Sequence, residues 1–110
     1  MDPVSGAIIA KALDGLALRQ TFLAQNIANA NTENYSPARV RFEDALAQAA
    51  RTDIDAISAL EPSILTDASR SMRLDLELAA ASETALRYAA LLEIRSRQTG
   101  LGRAAIGGGR

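Results

Sequence analysis

The sequence predicts an all-α chain. Long N- and C-terminal helices form an antiparallel hairpin or coiled coil, with an extended or flexible middle segment between them. Three observations carry this expectation. Apolar residues keep a heptad spacing over the N-terminal stretch, they do so again over the C-terminal stretch, and a polar stretch with Asn, Asp and Pro separates the two. The divisions fall at 1–31, 32–73 and 74–110.

The N-terminal helix is expected from about Val4 to Asn31. Its seam is Ile9, Leu13, Leu16, Gln20, Leu23, Ile27 and Ala30, and all but Gln20 are apolar. Ser5 could cap its start, and Asp2 followed by Pro3 gives a second entry signal. Gly15 should weaken this helix by about 1 kcal/mol relative to Ala. Ala12, Leu18 and Phe22 form a second apolar edge beyond the seam.

The middle begins with a breaker cluster of Asn31, Asn34, Ser36 and Pro37. Tyr35, then Val40 and Phe42 alternating with Arg39, Arg41 and Glu43, give the period of two that suits an extended segment. Phe42–Ala50 could form a short helix, and Ile54, Ile57 and Leu60 fit a helical turn or two. Residues 51–73 are expected to be the most mobile part.

The C-terminal helix is expected from about Leu74 to Leu101. Asp75 and Glu77 in its first turn and Arg95 and Arg97 in its last complement the helix dipole. Its seam is read as Leu78, Ser82, Ala85, Ala89, Leu92 and Ser96, small enough for close approach of the first helix. Leu91 and Ile94 lie on another face. Gly100, Gly102 and Gly107–Gly109 should end the helix and leave a flexible tail.

Composition excludes several functions. A chain of 110 residues allows one small domain, and 48% apolar with 23% charged residues is not the balance of a disordered chain. Cys and His are absent, which removes disulfides, thiolate metal sites and the commonest general base. No cofactor is expected. A net charge of −1 argues against nucleic-acid binding. Neither a cleaved secretory signal nor a membrane span is legible, and direct lipid binding is not expected. Composition alone suggests a soluble cytoplasmic chain, and a protein exported without signal cleavage would read the same. Asp53 with Asp55, or Glu43 with Asp44, could be offered as catalytic carboxylate pairs, but pairs in polar loops are usually solvated charges. No phosphate loop or nucleophile elbow accompanies them, so an enzyme is not expected.

The most informative run is LAQNIANANT, Leu23–Thr32. Asn is a poor helix former, because its amide competes for backbone groups. Asn26 and Asn29 lie one turn apart and could fix register across a helix–helix contact. Alternatively, they mark a fraying helix end.

LAQNIANANTENYSPARVRFEDAL resembles the N-terminal signature of the bacterial flagellar rod and hook protein family, whose pattern is close to L-A-x-N-I-A-N-A-x-T-P-G-Y. The other end is similar too: Leu74–Glu77 to the family's N-V-D-L-E, Leu86–Ala90 to its L-x-Y-x-A run, and Ala105–Ile106 to the close of its proximal-rod members. Glu33–Asn34 stands where the family has Pro-Gly, and Asn tolerates the left-handed turn. Arg73 stands where the family has Asn. The chain is too short for the large inserted domains of hook and distal-rod members.

The resemblance implies a structural subunit of the flagellar rod, exported by the flagellar type III apparatus without signal cleavage and poorly ordered before assembly. Implied partners are further copies of itself, other rod subunits and the membrane-ring and export-gate base of the rod. Residues expected at assembly contacts are Leu16, Leu23, Asn26, Ile27, Asn29, Tyr35, Phe42, Leu78, Ala85, Tyr88 and Leu92. Local packing within the chain is the competing account of Tyr35 and Phe42. A coiled-coil adaptor or secretion chaperone would explain the heptads, but not the two-ended match.

Overall fold

The computed structural model describes residues 1–66, 68 and 71–107, with backbone alone for 101–107. Helix α1 spans Pro3–Ala28. Strand β1 (Ala38–Arg41), helix α2 (Glu43–Ala50), helix α3 (Ile54–Ala59) and strand β2 (Ser63–Thr66) follow. Helix α4 spans Leu74–Gly107. The chain is thus mostly helical, with long helices at both ends. It is not all-α, because β1 and β2 pair antiparallel. The expected extended segment at Val40 is β1. Residues 54–66 supply a helix and the second strand, in the region expected to be most mobile.

Local chemistry sets the boundaries. Asp2 caps α1: its carboxylate accepts the Ser5 amide and the Ser5 hydroxyl, both at 2.8 Å, and Pro3 follows it. The Ser5 amide is the first cause holding the Asp2 carboxyl below its ordinary value. After α1 the chain turns through Asn34 at φ 63°, the left-handed conformation that Asn tolerates. Asp53 caps α3 by accepting the Ala56 amide at 2.8 Å. Helix α4 passes through Gly100 and Gly102 without ending, although each weakens it by about 1 kcal/mol. Arg95 and Arg97 therefore sit inside the helix and not in its last turn. The expected tail at 108–110 lies outside the described residues.

α1 and α4 run side by side in opposite directions. Asn26 meets Glu77, Gln20 meets Ala81, and Gly6 and Ile9 lie beside Arg95 and Gln98. The core, however, is not mainly between these helices. Leu16 packs with Val40, Phe42, Leu46, Ala49 and Ile57, all but the first from the middle segment. Ala12, Leu18 and Phe22, the second apolar edge of α1, pack against this cluster. Burying apolar area there stabilises by roughly 25 cal/mol per Å2, which is why the middle folds down onto α1.

The α4 seam requires correction. Leu78 and Leu92 stand 50% and 46% exposed, and Ser82, Ala85, Ala89 and Ser96 are exposed as well. The face turned to the body is Glu77, Ala81, Thr84, Tyr88 and Leu91, the same heptad shifted by one residue.

Gly15 is a point of contact. A Cβ there would stand 2.6 Å from the Phe42 ring. In an open helix Gly15→Ala would add about 1 kcal/mol of stability. Here overpacking costs about 1–3 kcal/mol, so urea denaturation should show Gly15→Ala to be less stable than the parent. A stabilised variant would mean that Phe42 does not lie against α1.

Candidate assembly interface

The first part of the site is a polar knot that holds the signature run to both ends of the fold. Asn26 has no exposed surface. Its Nδ2 donates to the Ala38 carbonyl at 2.9 Å and to Glu77 Oε2 at 3.2 Å. Its Oδ1 accepts from the Ala38 amide at 3.0 Å and the Tyr35 hydroxyl at 2.8 Å. Every hydrogen-bonding position of the carboxamide is therefore used. Glu77 is 1% exposed, and the Arg39 guanidinium donates to both its oxygens, at 3.0 and 2.5 Å. A buried carboxylate without such partners would cost several kcal/mol.

Arg19 makes a second clamp. Its guanidinium donates to the Val40 carbonyl at 2.7 and 3.3 Å and to both oxygens of Glu43 at 2.6 and 2.7 Å. It also lies over the Phe42 ring, 4.9 Å from the centroid. These bonds hold the Glu43 carboxyl at about 2, far below its ordinary 4.5.

The second part of the site faces outward. Leu74, Leu78, Ser82, Ala85, Ala89, Leu92 and Ser96 form one exposed stripe along α4 without a charged residue. At 1.5 Å per residue it runs roughly 33 Å. On one side it meets a groove of about 530 Å3 between the long helices, lined by Leu16, Ala17, Gln20, Thr21 and Ala24 of α1 and Thr84, Ala85 and Tyr88 of α4. Gln20 donates to the Ala81 carbonyl at 3.2 Å, while its buried Oε1 has no partner among the described residues. A partner's donor entering the groove would satisfy that oxygen.

The expected contact residues divide accordingly. Leu16, Leu23 and Phe42 are buried within the chain. Tyr35 and Asn26 are bonded to each other, and Tyr88 packs on the core. Ile27 and Asn29 are half-buried. Asn29 donates to the Gln25 carbonyl at 2.8 Å and accepts from the Thr32 hydroxyl at 3.0 Å, the pattern of a helix end. Leu78, Ala85 and Leu92 are the expected residues left on the open stripe. Arg39, Glu77, Arg19 and Glu43 also belong to the site, and the sequence pattern does not mark them as contact residues. Of these only Glu77 has a sequence signal, as a lone Glu at the head of an otherwise uncharged heptad, Glu77, Ala81, Thr84, Tyr88 and Leu91. The carboxylates offered as catalytic pairs have structural bonds here: Asp53 caps α3 and Glu43 holds Arg19.

No helix among the described residues is long and apolar enough to cross a membrane. Compared with known families and curated proteins, the chain matches no family model and no curated sequence.

The Glu43 clamp gives a pH test. Its folded value lies below its unfolded value, so its contribution is whole above about pH 4.5 and fades as pH falls toward about 2. Its side chain is 49% exposed, which limits the contribution to about 1 kcal/mol. Acid titration of urea stability should show a shallower decline for Glu43→Gln than for the parent. Equal slopes would mean that the clamp adds nothing.

Proposed function

We propose that this chain is a structural subunit of the bacterial flagellar basal-body rod, of the proximal FlgB type. It is exported by the flagellar type III apparatus and assembles through its two terminal helices. The observation that carries the reading is the charge-free stripe of α4, continuous with the groove against α1. A solitary domain rarely leaves a long apolar stripe in water, and such stripes mark contacts with other chains. Repeated contacts between unlike faces, when they do not close, generate a helical filament. The two-ended resemblance of the sequence supplies the rod as the filament. In this reading Asn26 and Tyr35 shape the subunit from within, and Leu78, Ala85 and Leu92 contact neighbours. The partners are other copies, other rod subunits and the base of the rod in the membrane ring.

Because Leu78 and Leu92 are half in water, Leu78→Asp with Leu92→Asp should change folding stability by no more than about 0.5 kcal/mol each. The double variant, expressed in a strain lacking the native gene, should give no rods and no swimming. Normal swimming with the charged stripe would overturn the proposal. A soluble adaptor bound elsewhere would give that result.

A further inference from the structure

A second groove, of about 500 Å3, lies where α2 meets the two long helices. Ile8 and Ala12 of α1, Leu46, Ala47 and Ala50 of α2 and Leu91 of α4 line it. The two charged residues on its border are already paired. Glu43 is held by Arg19 at 2.6 Å, and Arg87 is held by Glu83 at 2.6 Å. A charge carried in by an occupant would lose water and find no free counter-charge, so the fitting occupant is uncharged. This groove and the stripe lie on opposite sides of α4. Successive helical residues turn by about 100°, so Arg87 on the groove points roughly 200° away from Ala85 on the stripe. One broad face of the helix pair thus carries the stripe, and the other carries the groove.

We infer that this groove receives the α4 stripe of a second copy of the chain. The inference rests on the rod reading and names the surface that the stripe meets. That reading needs two unlike faces that fit each other, and one molecule supplies both. The stripe residues from Leu74 to Ser96 bring no charge into the groove. Leu78, Ala85 and Leu92 follow one another at about 10.5 Å, as a ridge that a groove between helices accepts. Two copies joined stripe to stripe would close as a pair and leave both grooves unused. Joined stripe to groove, every added copy presents a fresh stripe or groove, so growth continues. The size of the contact favours repetition as well. A stripe of 33 Å on a helix 10 Å wide covers roughly 330 Å2, well below the about 800 Å2 per partner of a stable pair. One such contact is weak by itself and holds where each copy makes two.

The chain has no Cys, so introduced thiols can report the contact. Ala47→Cys marks the groove and Ala85→Cys marks the stripe. Both positions are exposed, and circular dichroism and thermal melting should be unchanged. Oxidation of the two variants mixed at high concentration should give a disulfide-linked pair of twice 11.6 kDa. Its yield should exceed that of either variant alone about tenfold, because only the mixture holds the two thiols together. A chain with both substitutions should give a ladder of three copies and more. Adding Leu78→Asp and Leu92→Asp to the Ala85→Cys chain should remove the mixed pair. The inference is overturned if no mixed pair forms, if Ala85→Cys alone links as readily as the mixture, or if the doubly substituted chain stops at two copies. The rod reading fails by a different result, normal swimming with the charged stripe. Loss of swimming in that strain together with no mixed pair would keep the stripe as an interface and remove the groove as its seat.

Discussion

The fold depends on the carboxamide of Asn26. It exchanges N–H and C=O with Ala38 as a neighbouring strand would, and so stands in for a third strand made by a helix side chain. The same amide reaches Glu77, whose other bonds come from Arg39 on β1. One side chain thereby ties α1, β1 and the start of α4 together. Tyr35 closes the arrangement by donating its hydroxyl to the remaining lone pair. Since Asn26 and Glu77 are buried, loss of a partner leaves their polar atoms unpaired, and that desolvation penalty exceeds the worth of one bond. Folding of the helix pair and of the middle segment is therefore one event.

The placement of polar links divides α4 into two parts. Glu77 and the Ala81 carbonyl bind α1 and β1 near its start, while every residue from Leu92 to Gly100 is exposed. The start of α4 is anchored by hydrogen bonds, and the rest holds to α1 through Thr84, Tyr88 and Leu91. A helix held this way keeps a long second face for another chain. In the proposed rod, the buried knot fixes the shape of the subunit and the uncharged stripe supplies adhesion. The residues that resemble the family signature would then act chiefly within the subunit.

The long helices were legible because their heptads extend over many turns, and so was the strand at Val40, whose alternation survives between Arg39 and Arg41. The face of α4 was not. Two heptads, offset by one residue, run along the same segment. Hydrophobicity favours Leu78, Ala85 and Leu92 over Glu77, Thr84 and Leu91. The structure buries the second set because Arg39 and Asn26 compensate Glu77, and the Thr84 hydroxyl bonds the Ala80 carbonyl at 2.7 Å. Arg39 and Asn26 lie far from Glu77 in sequence, so no local pattern reports them. The order in residues 54–66 was hidden for a related reason. Ile57 is wholly buried only because α1 and α2 lie beside it. Asn26 and Asn29 look alike in sequence. Their different roles follow from the helix ending at Ala28, which leaves Asn29 to serve as its cap.

That difference provides the most direct measurement. Urea denaturation of Asn26→Ala and Asn29→Ala, followed by circular dichroism, compares the two amides in the same run. The knot predicts a loss of about 3–5 kcal/mol for Asn26, since it strands Ala38, Tyr35 and Glu77. It predicts at most about 1 kcal/mol for Asn29, a capping residue. Equal losses, or an Asn26→Ala chain as stable as the parent, would contradict the account.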